Sequence, residues 1–277
     1  MPLQVCACPQ RLAQTGKLIR MATALVTGGT SGIGLAFASE LASRGHDVVL
    51  VARDAERLAS TAAELSGRHG CTVETITADL GVRADLDPVI ARLGDLRRPV
   101  DVLVNNAGFG LNASLLDEDV SVQERAMDVM CTAVLILAGA AGRSMRTRGQ
   151  GSIINVSSVS AWIIKGNYSA IKRWVLTYTQ ALALELDGTG VQATAVCPGW
   201  VKTELHERSG VKRPSLPGWA WVSPDEVARA ALDAAQRGQV VAIPTRRWQV
   251  AVWVLEHAPA ALPRAISRKI STSRSAH

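Results

Sequence analysis

The chain has 277 residues, 48% of them apolar and 19% charged, with a formal net charge of +6. That balance supports one large domain with a sizeable core and excludes a disordered or fibrous chain. Arg11, Lys17 and Arg20 at one end and Arg264, Arg268, Lys269 and Arg274 at the other carry the positive excess; no basic stripe with interleaved aromatics marks a nucleic-acid surface, and no nucleic-acid partner is expected.

Residues 1–20 lack the apolar stretch of a secretory signal and read as a basic, disordered tail. The first patterned segment begins at Met21, so the domain is expected over 21–245, with an apolar and basic extension over 246–277. Cysteines at 6, 8, 71, 131 and 197 are scattered and odd in number, which suits a reduced cytoplasmic protein better than a disulfide framework. Cys6 and Cys8 are too close together and too isolated for a zinc site, and no metal is expected. No apolar run reaches transmembrane length.

Apolar runs at 23–27, 47–52, 72–77, 102–105, 152–156 and 191–196, with a weaker one at 239–243, predict strands. Helical patterns fall between and after them, at 34–43, 54–68, 83–93, 121–145, 168–186 and 224–237. Strict alternation of β and α with short links predicts an α/β fold: a single-domain, Rossmann-like, doubly wound parallel sheet of about seven strands, with helices on both faces.

The first strand runs into Thr27, Gly28, Gly29, Thr30, Ser31, Gly32, Ile33 and Gly34, and then into a helix. Glycines permit a tight turn and close backbone approach to a pyrophosphate, and a helix N-terminus attracts its charge. The spacing is G-x-x-x-G-x-G rather than G-x-G-x-x-G, and a purely structural turn is the competing reading. At the end of the second strand, where an NAD site wants a carboxylate, stand Ala52, Arg53 and Asp54. Arg53 can fork onto a 2′-phosphate, which favours NADP(H) over NAD(H); alternatively Arg53 is a solvated surface residue and Asp54 caps the next helix. Tyr168 and Lys172 lie four residues apart, on one face of a helix. A lysine cation close to a phenol favours the phenolate and lowers its pKa, which makes a proton donor and acceptor.

Taken in order, the glycine loop, Asp79, Asn105-Asn106-Ala107-Gly108, Ser158, Tyr168-x-x-x-Lys172 and Pro198-Gly199 resemble the short-chain dehydrogenase/reductase family across nearly all of residues 21–245. The resemblance implies an oxidoreductase that passes hydride between a nicotinamide and a carbonyl or alcohol. Ser158 would hold the substrate oxygen, Tyr168 would exchange its proton, and Lys172 would bind the nicotinamide ribose and tune the tyrosine. Asp79 would receive the adenine amine, Asn105 to Gly108 would brace the sheet beside the cofactor, Pro198 and Gly199 would turn against the nicotinamide, and Thr203 would touch the carboxamide or diphosphate. The implied cofactor-binding set is Thr27, Gly28, Thr30, Ser31, Gly32, Ile33, Gly34, Arg53, Asp79, Leu80, Asn106, Ala107, Gly108, Tyr168, Lys172, Pro198, Gly199, Val201 and Thr203. A homodimer or homotetramer through the fourth and fifth helices is implied as well.

The chain departs from the family pattern twice. Met130 stands where an asparagine usually assists a proton relay, and a thioether is a poor substitute. This motivates an alternative reading as a cofactor-binding sensor or scaffold with weak catalysis. The ten-residue step from Ser158 to Tyr168 is shorter than usual, so the 159–167 loop is expected to reshape one wall of the pocket. Ser157 and Ser160 read as ordinary turn residues. The substrate loop is expected over 205–222, where Leu216, Pro217, Trp219 and Trp221 suggest an apolar substrate or, equally, a surface loop packed on the domain. Arg246, Arg247, Trp248 and Trp253 could mark contact with a membrane surface, but a helix covering the cleft or an oligomer interface is the favoured reading.

Overall fold

The computed structural model describes residues 22–111, 113–201 and 218–257. Seven parallel strands form one sheet in the order β3-β2-β1-β4-β5-β6-β9: β1 (Thr23–Thr27), β2 (Asp47–Ala52), β3 (Val73–Thr77), β4 (Val102–Asn105), β5 (Gly151–Val156), β6 (Val191–Val196) and β9 (Val241–Ala242). The helices are α1 (Gly32–Ser43), α2 (Ala55–His69), α3 (Leu86–Gly94), α4 (Ser121–Met127), α5 (Ala133–Arg148), α6 (Gly166–Glu185), α7 (Pro224–Gln236) and α8 (Arg246–His257). The expected doubly wound parallel sheet is the observed one.

Strand periodicity builds the core. Val48 and Leu50 point to one face of β2 and pack with Phe37 and Leu41 of α1, Leu58 of α2 and Val227 of α7. Val49 and Val51 point to the other face, toward Leu86 and Val89 of α3 and Leu137 of α5. All are at most 1% exposed, and each buried leucine contributes roughly 1.5–3 kcal/mol. At the sheet edge, β3 alternates between partly buried and exposed positions, as a strand covered on one side should. Helix ends follow their local signals: Asp54 caps α2 by accepting from Arg57 N at 3.0 Å, Ser223 caps α7 before Pro224, and Gly70 closes α2 at φ +63°.

Three expectations need correction. The helix expected over 121–145 is interrupted by a π-turn at Asp128–Thr132, where Ala133 N–H reaches back to Asp128 O. The strand expected over 239–243 pairs only at Val241 and Ala242, because it lies at the sheet edge with β6 as its single neighbour. The helix expected from 83 begins as a single tight turn, Arg83–Asp85, ahead of α3. The stretch Ser121–Arg148 is also long and apolar enough to cross a bilayer, yet 56% of its apolar window is buried within the protein, as in a core helix.

Two short strands, β7 (Trp200–Val201) and β8 (Trp221–Val222), pair with each other and pin both ends of the substrate-loop region. Most of that region, with Thr203, Leu216 and Pro217, lies outside the described residues, as do the tail 1–20, the Trp219 side chain and residues 258–277.

Candidate active site

Strand order reverses between β1 and β4, and such sheets receive ligands beyond the strand C-termini at that crevice. The chemistry-bearing residues follow those ends: Thr27 after β1, Arg53 after β2, Asn106 after β4, Ser158 after β5 and Pro198 after β6.

Thr27 Oγ1 accepts from Asn106 N at 2.9 Å and Ala107 N at 3.1 Å, and Asn106 Nδ2 donates to Thr27 O at 3.0 Å and Gly28 O at 3.3 Å. The two loops are thereby stitched face to face. Gly28 sits at φ +65°, and a Cβ on Gly34 would lie 2.1 Å from Gly28 O, so the turn closes only with glycine at both places. Ser31 precedes α1 in extended conformation without a side-chain capping bond, so its hydroxyl does not satisfy the helix's first N–H groups. Thr30, Gly32 and Ile33 complete this loop. A tight glycine turn feeding a helix N-terminus fits a pyrophosphate.

Asp79 lies beyond the end of β3. Its Oδ1 accepts from Gly81 N at 3.0 Å and pairs with the Arg125 guanidinium. Burial works against its charge, but the Arg125 bond, the Gly81 bond and the nearby charges of Arg125 and Arg53 together hold the carboxyl below its usual range. Sequence reasoning missed Arg125, which reaches Asp79 across 46 residues with no local signal. It missed Arg57 as well, whose Nε donates to Thr30 O at 3.0 Å over the glycine loop. Arg57 was legible in principle, four residues after Arg53 at the start of α2. Leu80 and Val201, expected to touch cofactor, bury their side chains in the core at 7% and 6% exposure, which leaves only their backbones for such a contact.

Ser158, Tyr168 and Lys172 come together at the other end of the crevice. Ser158 is buried and begins the turn Val159–Trp162, and its Oγ accepts from Ser160 N at 3.1 Å. Lys172 Nζ donates to Val156 O at 3.0 Å and stands 5.6 Å from the centre of the Tyr168 ring. Ser157 Oγ donates to Lys172 O at 2.7 Å and so braces α6, a long-range role in place of the ordinary turn residue expected. Val159 N donates to Pro198 O at 3.0 Å, tying the serine turn to the Pro198-Gly199 turn. Behind the site, Asn105 Nδ2 donates to Asn155 Oδ1 at 2.9 Å, and Asn155 Nδ2 to Thr179 Oγ1 at 3.0 Å.

The expected lowering of the Tyr168 pKa by Lys172 is not what this arrangement produces. Burial pushes the phenol up to about 12, opposed by the Ser158 hydrogen bond. Burial also pushes the Lys172 ammonium down to about 8, partly offset by the neighbouring thiols of Cys131 and Cys197. The ammonium is therefore a weaker electrostatic lever than its spacing suggested, and Tyr168 is held as the neutral phenol, a proton donor. A pH dependence follows. A lysine pKa lower in the folded than in the unfolded chain means that unfolding takes up a proton between about pH 8 and 10.5, so Lys172 favours folding more as pH rises through that window. The stability of the wild type minus that of Lys172→Met, measured by urea melts, should rise by roughly 3 kcal/mol across that range. A flat difference would contradict the burial argument.

Met130 is 1% exposed and packs with Ala126, Val129 and Ile171 beside Tyr168. A Cβ on Gly108 would lie 3.0 Å from its Sδ, so the long thioether fits because residue 108 is glycine. Met130 is thus part of the wall behind the tyrosine.

A parallel sheet with a glycine cradle at its reversal point and a Ser–Tyr–Lys cluster beside it defines a dinucleotide-dependent oxidoreductase of the α/β class. The model of the short chain dehydrogenase family matches residues 22–213, and the chain belongs to that family. It is 33% identical over 219 residues to an uncharacterised oxidoreductase of Staphylococcus saprophyticus, covering 77% of this chain and 91% of the relative. A short-chain dehydrogenase from Sphingobium yanoikuyae, solved in complex with NADPH, superposes with a TM-score of 0.77 at 35% identity, over 87% of this chain and 98% of that one. A bulky-bulky ketone specific alcohol dehydrogenase from Comamonas testosteroni gives a TM-score of 0.73 at 31% identity, over 87% and 96%.

Proposed function

We propose that this oxidoreductase of the carbonyl/alcohol type prefers NADP(H) and reduces ketones with apolar substituents. The observation that carries the cofactor preference is the end of β2: Ala52 offers no carboxylate, Arg53 is exposed there, and Asp54 is committed to capping α2. Arg57 adds a second guanidinium four residues on, beside the glycine loop, and the Sphingobium yanoikuyae neighbour holds NADPH. When bound, the nicotinamide supplies hydride to the carbonyl carbon. The residues of this chain do the rest: the glycine loop and the α1 N-terminus hold the diphosphate, Asp79 receives the adenine amine, Ser158 orients the carbonyl oxygen, and Tyr168 delivers its proton to it. Lys172 holds the ribose beside the phenol.

Support for an apolar substrate comes from Trp162, Trp200, Trp221 and Trp248, which gather around the Pro198-Gly199 side of the crevice, and from the ketone specificity of the Comamonas testosteroni neighbour. A homo-oligomer through α5 and α6 is supported by the exposed Leu135, Leu184 and Trp174, the last stacked on Tyr178 at 4.9 Å. The sensor or scaffold reading loses its motive once Met130 is seen as a packed wall residue.

Parallel fluorescence titrations with NADPH and NADH test the cofactor preference. NADPH should bind about tenfold or more tightly, and Arg53→Ala should remove most of that margin, since a charge-assisted bond to phosphate contributes roughly 1.5–3 kcal/mol. Equal affinities in the wild type would refute the preference and leave the reductase assignment standing.

A further inference from the structure

Helix α8 stands outside the β-α alternation, yet it is fastened at both ends to the walls of the crevice. At its start, Trp248 Nε1 donates to Ala220 O at 3.3 Å, Arg247 Nη2 to Trp221 O at 3.0 Å and Gln249 Nε2 to Ile243 O at 2.9 Å. The Trp248 indole also fills the space over Gly199, where a Cβ would lie 2.1 Å from Nε1. At its far end, Glu256 Oε1 accepts the indole N–H of Trp162 at 2.7 Å, across 94 residues. Helix α8 therefore bridges the turn after β6 and the turn after β5 that begins at Ser158.

That second turn is the shortened loop. It leaves Ser158 through Val159–Trp162, passes the exposed Ile164 and turns at Gly166 (φ +57°) into α6, two residues before Tyr168. Trp162 is its largest side chain, half-buried, packed against the buried cluster of Ala161, Leu176, Ala195 and Cys197, with its N–H on Glu256. A short loop has few ways to hold its own shape, and an indole tied to a carboxylate gives it a charge-assisted anchor outside the loop.

We propose that Glu256 is a positioning residue for substrate: through Trp162 it holds the loop that starts at Ser158, and so sets the apolar wall against which a bulky ketone substituent packs. This rests on the reductase reading above. A small ketone, which needs only Ser158 and Tyr168, does not depend on the latch; a large one does.

The test compares wild type, Glu256→Leu, Glu256→Gln and Trp162→Phe in NADPH-driven reduction of acetone and of propiophenone, alongside hydrogen exchange of the amides over 159–164. In Glu256→Leu, KM for propiophenone should rise about fivefold or more while kcat and the acetone parameters change less than about twofold, the pattern of lost ground-state binding. Glu256→Gln keeps an oxygen that accepts the indole N–H and should stay near wild type. Trp162→Phe combined with Glu256→Leu should be no worse than the poorer single variant, as expected of one interaction. Exchange over 159–164 should quicken about tenfold in Glu256→Leu and return to the wild-type rate in Glu256→Gln. Wild-type exchange and unchanged propiophenone KM in Glu256→Leu would overturn the latch, as would equal losses for both ketones. If the wild type reduces neither ketone, the reductase reading is at fault, and the exchange rates still decide whether the latch exists.

Discussion

Tyr168→Phe is expected to lower turnover by about a thousandfold or more, within the usual range for a positioned general acid, while NADPH affinity changes by no more than about threefold. Only the hydroxyl is deleted. The ring keeps its place beside Ile171 and Met130, so fold and pocket shape survive. What is lost is the proton donor that burial holds neutral. Ser158 cannot substitute, because its hydroxyl carries a far higher intrinsic pKa than a phenol. Ser158→Ala should therefore cost less, about ten- to a hundredfold, because Tyr168 still reaches the oxygen it must protonate. Stopped-flow or steady-state NADPH oxidation with a ketone, paired with fluorescence titration, separates the two quantities. Turnover in Tyr168→Phe within tenfold of wild type would remove Tyr168 from the mechanism.

Gly34→Ala is the second large effect. The added Cβ would lie 2.1 Å from Gly28 O, 2.8 Å from Gly28 C and 2.4 Å from Asn106 Nδ2. Two of those atoms are backbone and cannot swing aside, and Asn106 is the residue that stitches the glycine loop to the end of β4. The strain must open the loop that would receive the diphosphate. NADPH affinity should fall about a hundredfold or more, and overpacking of roughly 1–3 kcal/mol should lower Tm by about 2–10 °C. Gly67→Ala is the control: it lies within α2 with nothing near its would-be Cβ, so it should leave binding unchanged and hold or raise Tm. Normal NADPH binding by Gly34→Ala would mean that the glycine loop is not the cradle.

The arginine at Arg125 shows where sequence reading stops. Asp79 was singled out by the family resemblance, but its partner lies in α4, and the same guanidinium occupies the space that a Cβ on Gly81 would need. Nothing in the local pattern around either residue announces the other. The same holds for Met130. As a departure from a familiar motif it suggested impaired catalysis, whereas the space over Gly108 and the π-turn at Asp128–Thr132 make it a fitted wall residue.

By itself the sequence determined the alternation and parallel arrangement of the main strands, the cap at Asp54, the glycine turn, and the register that puts Tyr168 and Lys172 on one helix face. Each of these is written in interactions between near neighbours: period-two apolar runs, glycines at positive φ, side chains one helical turn apart. Tertiary structure alone decided the Arg125–Asp79 pair, the Trp162–Glu256 latch, the seating of Trp248 on Gly199 and the protonation of the Tyr–Lys pair. The first three join residues dozens of positions apart, and such pairs exist only once the sheet has brought the loops to one edge. The last depends on how much water packing removes from around a phenol and an ammonium, which helical spacing cannot report.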